Sequence, residues 1–85
     1  MNKLTNGKPL KVYTVTLDGI RQIRVSPSRA INLALQTAEM HADDLSKLPS
    51  FASLLHDLRR KGHAFFNYKS NHKRKTITID KEEVL

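Results

Sequence analysis

The chain has 85 residues, 39% of them hydrophobic, which suits one domain with a modest core and is too apolar for a wholly disordered polymer. It has no cysteine, so disulfides and thiolate metal sites are excluded, and no apolar run is long enough to span a bilayer. Fifteen Lys and Arg against eight Asp and Glu give a net charge of +7, and the excess is local: residues 59–75 hold seven basic side chains and no acidic one.

Residues 1–10 carry Asn, Gly and Pro with little periodicity and read as a flexible arm, leaving 11–85 as a single domain. The arm lacks the apolar stretch of a signal peptide, so the cytoplasm is the expected location. Residues 12–17 (VYTVTL) alternate and are rich in β-branched side chains, and 20–25 (IRQIRV) return after Asp18-Gly19, a pair suited to the positive φ angles of a tight turn. A strict two-residue turn pairs Val15 with Gln22. One extra residue at Gly19 instead places Tyr13, Val15, Leu17, Ile23 and Val25 on one face, and that bulged register is the expected one.

Ser26-Pro27 is a helix start, with serine as cap and proline in the first turn. Ile31, Ala34, Leu35 and Ala38 then follow at i, i+3, i+4 and i+7, the spacing of an amphipathic helix ending near His41. The spacing predicts a short second helix over 42–48, with Asp43-Asp44 in its first turn and Leu45 and Leu48 pointing inward. A third helix opens at Pro49-Ser50, buries Phe51, Leu54, Leu55 and Leu58, and stops at Gly62. From His63 the period is two: HAFFNYK and KTITI are strands of a second hairpin with a basic tip, and DKEEVL is left unassigned.

The expected fold is therefore α+β: an N-terminal β-hairpin followed by three helices and a C-terminal β-hairpin, the layout of a winged helix-turn-helix. The stretch FASLLHDLRRKGHAF resembles the third helix and first wing strand of small winged-helix DNA-binding proteins of phages and mobile elements. Asp57-Leu58-Arg59 and Gly62 match their R-I-x-D-L-R-x-x-G signature, with Leu54-Leu55 in place of Arg-Ile. The resemblance implies a sequence-specific protein for double-stranded DNA, a transcriptional regulator with the third helix in the major groove and the wing on the backbone.

The residues support contact with a polyanion without that resemblance. With the apolar stripe inward, Ser53, His56, Asp57 and Arg60 face outward, flanked by Ser50, Arg59 and Lys61. Arginine pairs bidentately with guanine, and serine reaches bases or phosphates. Asp57 is expected to orient Arg60 or Lys61, one helical turn on. In the wing, Lys69, Lys73, Arg74 and Lys75, with His72, are expected on the phosphate backbone. The candidate DNA-binding set is thus Ser50, Ser53, His56, Arg59, Arg60, Lys61, Lys69, Lys73, Arg74 and Lys75.

Three alternatives carry weight. Phe65 or Tyr68 stacked on an unpaired base makes the chain a single-strand or RNA binder. HDLRRKGHAF…SNHKRKTITI loosely resembles the HicA toxins, RNA-cleaving proteins whose catalytic histidine falls at His72. A phage inhibitor of a host protein is the third, and an edge of the N-terminal hairpin offers a surface for homodimerisation. The four histidines are scattered, with no paired carboxylates or metal-ligand spacing, so neither catalysis nor a metal or cofactor is expected.

Overall fold

A computed structural model of the chain describes residues 10–84, and the arm expected at its start lies, but for Leu10, outside them. The elements run β1 (Leu10–Leu17), β2 (Ile20–Arg24), α1 (Pro27–His41), α2 (Phe51–Lys61), β3 (His63–Ser70) and β4 (Lys73–Val84), with one 3-10 turn at Leu45–Lys47. The four strands form a single antiparallel sheet in the order β2-β1-β4-β3.

This overturns the three-helix winged layout. The C-terminal hairpin is no wing projecting from a helical core, because β4 pairs with β3 on one side and, from Ile77 to Val84, with the whole of β1 on the other. The strand pairs Leu17 with Ile77, Val15 with Ile79 and Leu10 with Val84. Residues 80–84 of the unassigned tail form the end of this central strand. Asp80 and Glu82 fit there because they share the face of the sheet that is open to water.

The expected second helix is also absent. Residues 42–48 form a loop with one 3-10 turn, whose cap is the Asp44 side chain accepting from the Ser46 N–H. Leu45 does not point inward but is 58% exposed, while Leu48 packs against the core. The two long helices match their local signals. Ser26 caps α1 with Pro27 in its first turn, Ser50 caps α2, and Gly62 ends α2 with φ +79°, a left-handed angle that favours glycine.

The N-terminal hairpin takes the two-residue turn, not the bulged one. Asp18 and Gly19 have φ of 50° and 79°, and Val15 pairs with Gln22. Ile23 consequently leaves the face carrying Tyr13, Val15 and Leu17 and is 62% exposed. Because β1 is paired on both sides, the only free edge of this hairpin is β2, and there the Arg24 guanidinium donates to the Ile23 carbonyl.

Both helices cover one face of the sheet. Val15, Ala64, Phe66, Ile77 and Ile79 from the strands meet Ala30, Ile31, Ala34 and Ala38 of α1 and Leu54 and Leu58 of α2. The alanines let α1 lie close enough to touch all four strands. Gly62 seals the end of α2 to the sheet, its carbonyl accepting from the Lys81 N–H at 2.9 Å. No described helix is long and apolar enough to cross a membrane.

Candidate nucleic-acid interface

Register determines which basic side chains share a surface. Residues directly opposite in an antiparallel pair project to the same face. Phe66 and Ile77 face the helices, so Phe65 with Thr78, Asn67 with Thr76, and Lys69 with Arg74 face the open side. Thr14, Thr16, Arg21 and Ile23 continue that face across β1 and β2.

The open face is graded in charge. Asp80 and Glu82 stand at one end, where the Glu82 carboxylate accepts from the buried Thr14 hydroxyl and lies 3.5 Å from Arg21. Lys69 and Arg74 stand at the other end. Between them lie threonines, Asn67 and the Phe65 ring, which is 59% exposed while its neighbour Phe66 is buried. The Thr76 hydroxyl donates to the Asn67 side-chain oxygen at 2.6 Å, linking the two strands on this face.

The hairpin tip is held from outside. Asn71 and His72 have φ of 53° and 66°, a two-residue turn with both residues left-handed. The Asp43 carboxylate accepts one hydrogen bond from each of their backbone N–H groups, both at 2.9 Å, and the Asp43 N–H donates to the Lys69 carbonyl at 2.8 Å. The amides of His72 and Asn71, in that order, hold the Asp43 carboxyl below its ordinary range. Bonds from the Ser46 hydroxyl and amide do the same for Asp44.

A cleft of about 430 Å³ opens between this loop and the edge of β3. Lys47, Leu48, Asn67, Tyr68, Lys69 and Arg74 line it, together with the two engaged aspartates and His72. Burial raises the Tyr68 phenol, with the Asp18 charge adding to it.

The structure divides the expected DNA-binding set into two groups. Arg59, Arg60 and Lys61 are exposed at the far end of α2, while Lys69, Lys73, Arg74 and Lys75 lie at the hairpin tip. The length of β3 separates them, roughly 23 Å for seven residue steps. Ser53, His56 and Arg60 are exposed on the solvent side of α2, as its apolar stripe requires. Ser50 is engaged as a cap, its hydroxyl accepting from the Ser53 N–H at 3.1 Å. Lys73 and Lys75 are on the helix-facing side, and Lys75 is half-buried and 3.6 Å from Asp18. Asp57 forms no ion pair with Arg60 or Lys61 among the described residues, and its one such contact is with the His56 ring nitrogen Nδ1 at 4.0 Å.

Comparison with protein-family models, curated proteins and solved structures finds no match. Neither the winged-helix nor the toxin resemblance gains support from it, and the interface stands on its own chemistry. Sequence reasoning missed Lys47 and both aspartates of the loop, which no short-range pattern connects to the hairpin. Phe65 was marked, and alternation with Phe66 was the signal that one of the two rings must face outward.

Proposed function

We propose that the protein binds single-stranded nucleic acid on the open face of its sheet, with the bases over Phe65 and the phosphates on Lys69 and Arg74. The exposed Phe65 ring on the same sheet face as those two cations carries this reading. Stacking on an aromatic ring is open to an unpaired base and closed to one inside a duplex. Asn67 and the threonines add donors and acceptors for base edges and sugar hydroxyls. Among the described residues Lys69 and Arg74 have no carboxylate partner, so their charge is free for phosphate. The carboxylates at the opposite end repel a polyanion and confine it to the basic half.

Sequence-specific binding to double-stranded DNA is the second reading, favoured by the line of Ser53, His56 and Arg60 on the solvent side of α2. It has lost the three-helix frame that would present α2 to a groove, and it leaves Phe65 without a role.

Photocrosslinking separates the two. An oligonucleotide carrying 5-iodouracil, irradiated in complex with the protein and digested, is expected to attach within the His63–Ser70 peptide, at Phe65. Attachment confined to the α2 peptide contradicts the sheet reading and favours the helix.

A further inference from the structure

We infer that the cleft beside β3 takes a single nucleotide of the bound strand, with its phosphate among Lys47, Lys69 and Arg74 and its base against Leu48 and Tyr68. This rests on the strand-binding reading and extends it from the sheet face over the β3 edge.

Five observations carry it. Asn67 and Lys69 belong to the open face and also line the cleft, so a strand lying on Phe65 meets the cleft without leaving protein. The cleft is much larger than a phosphate and falls in the range of small-ligand sites. Its charge is lopsided in use. Both Asp43 oxygens accept backbone N–H groups and Asp44 is bonded to Ser46, whereas Lys47, Lys69 and Arg74 have no ion-pair partner among the described residues. Leu48 and Tyr68 supply the apolar surface that a phosphate alone does not need.

The fifth observation is the backbone of the edge strand. The Lys69 carbonyl points away from β4, since it accepts from Asp43. Backbone groups on a strand alternate in direction, so the N–H and C=O of Asn67 point the same way, and no described backbone group pairs with them. An edge donor and acceptor beside a nonpolar wall suit the hydrogen-bonding edge of a base.

The test is a titration of the ¹⁵N-labelled chain, followed by amide chemical shifts, with uridine or adenosine monophosphate, the matching nucleosides, inorganic phosphate, and a short single strand. A monophosphate is expected to move the amides of Lys47, Leu48, Asn67 and Lys69 further than phosphate or nucleoside does. Lys47→Ala, an exposed change at the cleft, is expected to weaken the monophosphate at least threefold. If phosphate alone reproduces the shifts, the cleft is a simple anion site and the inference fails. If the oligonucleotide moves Phe65 while the amides of Lys47 and Leu48 stay still with every ligand, the inference fails and strand binding stands. If nothing moves any amide, both fail.

Discussion

The Asp43 carboxylate accepts the backbone N–H of His72 at 2.9 Å, joining residues 29 apart in sequence. With the matching bond from Asn71, it makes the loop after α1 a brace for the basic tip of the β3–β4 hairpin. A two-residue turn with two non-glycine left-handed residues is strained on its own, and the brace stabilises that conformation. The positions of Lys69 and Arg74, which flank this turn, are in this way tied to a residue of another element.

Asp43→Ala is therefore expected to loosen the tip without unfolding the domain. Amide exchange at Asn71 and His72 should speed up at least tenfold while Ile77 and Ile79 stay protected. Unchanged exchange at the tip is the result that removes Asp43 from this role.

The same brace is pH-dependent with a definite sign. Because the folded-state Asp43 carboxyl titrates below its unfolded value of about 3.9, its contribution is complete above that pH. It is lost as the pH falls through the lower folded-state value. Exchange protection of the Asn71 amide, corrected for its intrinsic rate, should thus hold from neutrality to about pH 4 and be lost only below it. Loss of that protection already well above this pH would remove the Asp43 carboxylate as its source.

Both helices were legible because their boundaries are written locally. Ser26-Pro27, Ser50 and Gly62 specify caps within one turn of the chain, and the structure places helix ends there. The sheet was not legible as one unit. Its central pairing joins Leu10 to Val84 and Leu17 to Ile77, contacts with no short-range signature. Asp80 and Glu82 further hide a strand whose open face tolerates charge. The 42–48 loop was misread because Leu45 and Leu48, three apart, fit a 3-10 turn as well as a helix. At the interface, the basic residues were plain from composition. Their division between the end of α2 and the hairpin depends on how β3 runs back along the helix.

Core packing gives an independent check on that arrangement. Leu58 is 1% exposed, where α2 meets α1 and the sheet. Leu58→Ala should cost about 2–5 kcal/mol in urea denaturation. Arg60→Ala, two residues on and exposed on the opposite side of the helix, should leave stability within about 0.5 kcal/mol. A small loss at Leu58 would mean that α2 packs through another face.

Arg60→Ala also distinguishes the two surfaces in binding. It is expected to change single-strand affinity less than twofold, because Arg60 lies on α2 and not on the sheet face. A loss of about 1–3 kcal/mol on one preferred duplex and not on others would instead show base reading by the helix.

Lys69→Ala combined with Arg74→Ala should weaken every single strand by a similar factor, as loss of phosphate contacts does. The slope of log K against log salt should fall by about 1.4, or about 0.7 per contact on a single strand. An unaltered slope would place the bound phosphates elsewhere.

Fluorescence anisotropy of one labelled strand, alone and annealed to its complement at the same salt, weighs the sheet face against any other use of the charge. The free strand is expected to bind at least tenfold more tightly than the duplex. Phe65→Ala, a change at a 59% exposed ring, should remove about 1–3 kcal/mol of that preference with the fold intact. Equal affinity for strand and duplex, with Phe65→Ala of no consequence to either, would show that the open face of the sheet does not bind nucleic acid.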